Sequence, residues 1–195
     1  DYKEAVQLYE QTGRKSQKWQ VDVLKHILAR TSKGLWVHTK YGYSVPRRNG
    51  KNEIIAIREM YGLQKGEKIL HTAHRTTTSH AAWERLCTLL DKAKIDYKSL
   101  RASGREMIET ECGGRADFRT RSTKGGLGEG FDLLVIDEAQ EYTSDQESAL
   151  KYVVTDSKNP QTLFCGTPPT PHSSGTIFTD LRKSALQGES QNTGW

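Results

Sequence analysis

The chain is poor in cysteine, with three in 195 residues (Cys87, Cys112 and Cys165), widely spaced and without a CxxC pair. An odd number at such spacing fits neither a disulfide framework nor a zinc site, and the expectation is a reducing, intracellular setting. No apolar run approaches the roughly 20 residues of a membrane-crossing helix, and no signal-peptide pattern opens the chain. Residue 1 is Asp, so the natural start is expected to be missing or processed. There is no internal repeat and no low-complexity tract. What is present, 34% hydrophobic and 27% charged residues, suits a soluble α/β domain able to bury a core. Lys and Arg number 29 against 24 Asp and Glu, a net charge of +5 that permits contact with a polyanion without demanding it.

Residues 1–13 read as a polar helical lead-in. An amphipathic run on Val21, Val23, Leu24, Ile27 and Leu28 predicts a second helix, stopping near Gly34. Short strands are expected at 35–38 and 41–45, a helix over 51–62, a strand at Lys68–Ala73 and a helix over Thr76–Lys92. Residues 106–111 and 116–121 flank Gly113-Gly114 as a β-hairpin. A glycine-rich segment, 122–130, precedes a buried-type strand at 131–137. A helix over 144–154, a strand at 162–166 and a helix over 177–186 complete the pattern. Strands alternating with helices predict a mainly parallel sheet with helices on both faces.

Between the strand at 41–45 and the helix from Lys51 lies Pro46-Arg47-Arg48-Asn49-Gly50-Lys51-Asn52. A helix N-terminus offers free N–H groups and a positive dipole end, which suits phosphate. Lys51 there can reach β- and γ-phosphates, with the next residue facing a metal. Against GxxxxGK[ST] the loop differs twice: Val45 stands at the first glycine and Asn52 at the Ser or Thr. A solvated turn ahead of a helix has the same composition.

The run Leu133-Leu134-Val135-Ile136 reads as a strand buried on both faces, and ligands collect at the C-terminal ends of such strands. Asp137 at that end can hold Mg²⁺, and Glu138 can polarise an attacking water; a surface acidic turn is the plainer alternative. Thr167, after Phe164-Cys165-Gly166, places a hydroxyl at another strand end, where the state of a γ-phosphate can be sensed; a proline-stiffened turn is equally compatible. Gln17 and Gln20 can bond the edge of adenine and Trp19 can cover its face, or the three can simply start a helix with one part-buried ring. His71 and His74 have metal-like spacing without a third ligand. Arg101, Arg105, Arg115, Arg119 and Arg121 gather on and beside the hairpin, as a DNA-backbone contact or a charge-guarded edge.

In this order VPRRNGKN, LLVIDEAQ and FCGTPP, with Trp19-Gln20 ahead and the hairpin REMIETECGGRADFRTRS before a glycine-rich loop, resemble the ATPase domain of a tailed-phage terminase large subunit. The resemblance runs from about Gln17 to the proline-rich turn. It implies a P-loop NTPase of the ASCE, RecA-like, three-layer type with an added β-hairpin. It implies Mg²⁺-dependent ATP hydrolysis that powers translocation of double-stranded viral DNA into the procapsid. By the same likeness Arg47, Arg48 and Asn49 belong to an arginine-rich phosphate loop with Gly50 and Lys51, and Arg48 joins Lys51 and Glu138 in catalysis. Gln17, Trp19 and Gln20 lie on the adenine side, Asp137 and Asn52 hold Mg²⁺, and Thr167 is the coupling residue. Such families carry an arginine in the loop before the acidic strand that acts on a neighbour's ATP; the nearest cations here are Lys124 and Arg121. Residues 1–195 are then a single motor domain, with 1–34 an adenine-side segment and 172–195 the start of a C-terminal linker. The family's nuclease domain is expected to be absent from this chain. The implied partners are double-stranded DNA, a portal protein, a small terminase subunit and further copies in a ring, in the host cytoplasm and without a membrane. Alternatives are a helicase- or restriction-type translocase and a non-catalytic nucleotide-binding module.

Overall fold

The computed structural model describes residues 1–102, 105–121 and 129–195. Helix α1 (Tyr2–Glu10) is followed by α2 (Lys18–Ile27), which opens on a reciprocal cap between Gln17 and Gln20. Strand β1 (Lys40–Ser44) leads to helix α3 (Lys51–Gln64), then β2 (Lys68–Ala73) and α4 (Thr76–Lys92). Three strands follow, β3 (Tyr97–Leu100), β4 (Glu106–Thr110) and β5 (Arg115–Thr120). Next come β6 (Leu133–Ile136), α5 (Ser144–Leu150) and β7 (Gln161–Gly166), and the chain closes with α6 (Ile177–Gln187) and β8 (Thr193–Gly194). No described helix is long and apolar enough to cross a membrane.

The strands form one sheet in the order β3-β4-β5-β2-β6-β7-β1-β8. All neighbours from β5 to β8 are parallel, and β3 and β4 are antiparallel. The hairpin β4–β5 does not stand apart. Its second strand runs parallel to β2 along the whole of Lys68–Ala73, so it widens the sheet.

Alternation along the central strands builds two cores. Leu133, Val135, Leu163, Cys165 and Ile69 face the side of α1–α4, whereas Leu134, Ile136, Phe164 and Leu70 face Phe178, Tyr142 and Leu150. Period-two side chains buried on both faces give the three-layer arrangement predicted above. Helix α3 lies deepest on its side: every residue from Ile54 to Leu63 is buried, Arg58 and Glu59 included. A charge so placed must be paired. Arg58 meets Glu67 at 2.6 Å, and Glu59 meets His71 at 2.8 Å.

The helix expected to stop near Gly34 ends at Ile27, and two further expectations change. Residues 35–38 form no strand; only an isolated bridge joins Arg30 to Trp36. The Trp36 N–H donates to Asn159 Oδ1 at 2.9 Å, and its ring lies between the guanidinium groups of Arg30 and Arg58 at 4.2 and 4.8 Å. The helix expected over 144–154 ends at Leu150: the Val153 N–H donates to the Leu150 carbonyl three residues back at 3.1 Å, and the Val153 carbonyl accepts from the N–H of Phe131 at 2.8 Å. Residues 172–195 pack on the domain through α6 and β8: Phe178 is buried against Trp195 at 4.9 Å between ring centroids, and Thr193 and Gly194 pair with β1.

Candidate nucleotide site

Strands β1, β7, β6 and β2 are parallel, so their C-terminal ends share one edge of the sheet. Because β7 lies between β1 and β6, its Thr167 falls between the loop after β1 and the acids after β6. Arg47, Arg48, Gly50, Lys51, Asn52, Glu138 and Thr167 all line one cleft of about 440 Å³. Parts read separately in the sequence thus converge.

The loop bends over the start of α3 through two left-handed residues, Arg48 at φ 65° and Gly50 at φ 80°. Gly50 is needed twice over: its φ disfavours any side chain, and a Cβ there would stand 2.8 Å from Gln20 Nε2. As N-cap it offers no side chain to the first turn of the helix; the Glu53 N–H donates to its carbonyl at 3.3 Å, and the Lys51 and Asn52 N–H groups are left for a ligand. The Tyr43 hydroxyl donates to the Lys51 carbonyl at 2.7 Å, tying β1 to α3. Lys51 Nζ donates to Asn52 Oδ1 at 3.3 Å. Asn49 turns inward and donates to the Pro46 and Arg47 carbonyls at 3.1 and 3.3 Å, closing the loop on itself.

The residues expected on the adenine side divide. Gln20 is buried: its Oε1 accepts the Gln17 N–H at 2.8 Å and its Nε2 donates to the Gly50 carbonyl at 3.0 Å. Both ends of that amide hold the protein together, so Gln20 braces the loop before α3 from behind. Trp19 donates its indole N–H to Gln17 Oε1 at 2.6 Å, and its ring edge approaches Gly50. Neither Gln17 nor Trp19 lines the 440 Å³ cleft; they stand at its α2 side.

Beyond β6, Glu138 adopts a left-handed backbone, φ 52° and ψ 46°. Such a conformation costs a non-glycine residue on the order of 1–3 kcal/mol and survives only where its surroundings impose it. Here they do. The Glu138 N–H donates to Asp137 Oδ1 at 2.8 Å, and its carbonyl accepts from Arg121 Nη2 at 3.1 Å. Its carboxylate is gripped by Arg75 through the backbone N–H at 3.1 Å and Nε at 2.9 Å.

Asp137 is 3% exposed, just behind the cleft wall. Burial would raise its pKa, but hydrogen bonding and charge from His71, with the Lys51 ammonium, hold it down to about 2. His71 in turn would lose its proton through burial, yet Glu59 and Asp137 carry its pKa up to about 10. Asp137 is ionised, and with the Asn52 amide it offers oxygen donors only. That donor set fits Mg²⁺, which takes one or two protein oxygens and keeps water and phosphate for the rest. Among the described residues no three His, Cys, Asp or Glu form a metal cluster. His71 points to the two carboxylates, so its spacing from His74 has no ligating meaning.

Arg121 is not available to a neighbouring subunit. It is 6% exposed, with Nη1 donating to the Asp137 carbonyl at 2.6 Å. Lys124 lies outside the described residues. The arginine cluster on the hairpin is likewise divided, because Arg115 and Arg119 bind Asp117 at 3.1 and 3.3 Å.

Several cleft residues were not anticipated: Arg75, Thr78, Arg85, Glu53 and Gln140. Arg75 was accessible by the reasoning applied to Thr167, since it follows closely on the end of β2. Gln140 lies within the acidic motif itself; its Oε1 accepts the Thr167 N–H at 3.3 Å, and a Cβ on Gly166 would collide with it.

No family model matches the chain, and neither does any curated protein. Solved structures do. The HK97 bacteriophage large terminase superposes with a TM-score of 0.79 over 98% of this chain and 42% of its own, at 13% identity. The large terminase ATPase domain of Thermus phage P74-26 gives 0.66 over 89% of this chain and 71% of its own, at 14% identity. The large terminase of another thermophilic bacteriophage, in complex with ATP-gamma-S, gives 0.66 over 87% and 42%, at 13% identity. The chain therefore spans less than half the length of the HK97 protein and of the ATP-gamma-S-bound one. With its sheet order and the loop between β1 and α3, it has the fold of the ATPase domain of bacteriophage large terminases.

Proposed function

We propose that this chain binds and hydrolyses ATP in the cleft after β1, as the motor domain of a terminase large subunit. The observation that carries the reading is the meeting of Lys51, at the start of α3, with Glu138 and Thr167 in one cleft. Lys51, Arg47, Arg48 and the first-turn N–H groups of α3 supply positive charge and donors for a triphosphate. As Lys51 turns towards phosphate it frees Asn52 Oδ1, which with Asp137 would hold Mg²⁺. A bound ion would supply positive charge against that of the phosphates. Glu138 accepts the proton of the water that attacks the γ-phosphorus, the bond to the β–γ bridging oxygen breaks, and ADP leaves. Thr167, joined to Gln140, lies where loss of the γ-phosphate can be passed to β7 and the acidic turn.

The proposal extends to translocation of double-stranded viral DNA into a procapsid, by a ring of copies working with a portal protein and a small terminase subunit in the host cytoplasm. Its support is the sequence resemblance together with the fold. Titration with a fluorescent ADP analogue with and without Mg²⁺, followed by phosphate release from ATP, tests the first part. Binding without any turnover, alone or in assembled rings, leaves only a nucleotide-binding module.

A further inference from the structure

Behind the cleft, three ionisable side chains from three elements stand in line. Glu59 of α3, His71 of β2 and Asp137 after β6 are 2%, 1% and 3% exposed. His71 Nδ1 lies 2.8 Å from Glu59 Oε2, and Nε2 lies 3.2 Å from Asp137 Oδ2. The ring also stacks on Phe118 at 5.2 Å, so it cannot rotate without disturbing the core. On the other carboxylate oxygen, Asp137 Oδ1 accepts from the Glu138 N–H at 2.8 Å and the Cys165 thiol at 3.5 Å.

Three buried charges are costly in a core, and apolar residues would pack there more cheaply. Local stability therefore does not account for them. Their placement does. Glu59 lies two turns along the same helix that begins with Lys51 and Asn52. The line thus joins the phosphate-holding helix to the acidic strand through the one strand, β2, that neighbours β6 on its far side from β7.

We propose that Glu59 and His71 are positioning residues of the metal site: they fix the Asp137 carboxylate in one orientation and tie it to α3, so that Asn52 and Asp137 keep a set relation. This rests on the reading of the cleft as an Mg²⁺–nucleotide site. Neither residue lines the cleft.

The test separates metal response from folding and from turnover. ADP-analogue affinity is measured in EDTA and across a series of Mg²⁺ concentrations, with Mn²⁺ binding to the ADP complex read by electron paramagnetic resonance. Thermal unfolding is followed in parallel. Glu59→Ala and His71→Gln should raise the Mg²⁺ and Mn²⁺ concentrations for half-saturation by about 10- to 100-fold, the usual effect of removing such outer partners. Affinity in EDTA should not change. Glu59→Gln, which keeps the volume and an oxygen for the Nδ1 hydrogen, should restore the wild-type metal response. A wild-type metal response in every variant that folds, whatever the melting temperatures, overturns the proposal and leaves a structural pair. Absence of any Mg²⁺ dependence in the unsubstituted protein would instead remove the nucleotide-site reading on which it stands.

Discussion

Arg75 Nε lies 2.9 Å from Glu138 Oε2 while the Arg75 N–H lies 3.1 Å from Oε1, so one residue holds both oxygens of the acid assigned to activate water. The side chain of Arg75 is 62% exposed and that of Glu138 only 9%. The pair is thus a clasp on the cleft wall whose outer half is free to leave. While closed, it occupies the oxygen that a water must approach. Arg75→Ala should leave Glu138 held by the backbone N–H alone and raise the single-turnover rate of ATP cleavage. A fall in that rate, with nucleotide affinity unchanged, would mean that Arg75 orients the acid for attack instead.

Lys51 and Glu138 should separate binding from chemistry. Loss of a charged hydrogen-bond donor to phosphate weakens binding by about ten- to a hundred-fold, which is the expectation for Lys51→Ala. Glu138→Gln keeps the shape and one of the two Arg75 contacts, since its amide oxygen still accepts and its amide nitrogen does not, so ATP should still bind. Turnover should drop by about 10²- to 10⁴-fold, the usual contribution of a positioned base. Normal turnover by Glu138→Gln would show that another group takes the proton.

Much of the frame was legible because it is written in short-range period. Lys68–Ala73 and Thr76–Lys92 were readable to the residue, and the apolar run before Asp137 located the strand end where the acids sit. The turn between β1 and α3 was legible from a helix start beside a basic run. The partners of these groups were not, because they arrive through strand order. Nothing near Arg121 marks it as the donor to carbonyls of residues 137 and 138, and nothing near Gln20 marks it as a brace for Gly50. The strand expected at 35–38 had the right composition; its backbone was claimed by Asn159, more than a hundred residues away.

Arg121 should matter for stability as well as activity. It supplies donors to two successive carbonyls at the strained turn; that of Glu138 would keep the Glu141 N–H at 2.9 Å, but that of Asp137, left without a donor, costs about 1–3 kcal/mol. Arg121→Ala should therefore lower stability in urea denaturation and also abolish turnover, since the left-handed conformation of Glu138 loses its anchor. Arg121→Lys should not rescue either property, because a single ammonium lacks the planar fork that spans both oxygens. Recovery of activity by the lysine variant would show that charge alone suffices.

His71 should make stability fall on the alkaline side. Its pKa stands at about 10 in the fold against 6.5 for the free side chain, so the folded chain binds that proton more tightly than the unfolded one. The resulting stabilisation is complete below about pH 6.5 and drains away as pH rises towards 10. Asp137 acts in the opposite sense: held down to about 2 from 3.8, it contributes above about pH 4 and loses that contribution as acid protonates it. Above neutrality, then, the loss belongs to the histidine, whose neutral ring would leave Glu59 and Asp137 facing each other across the core. Urea denaturation from about pH 6 to pH 10 should give a steeper decline for the unsubstituted protein than for His71→Gln, which has no proton to lose in that range. Parallel curves would place the proton elsewhere in the triad.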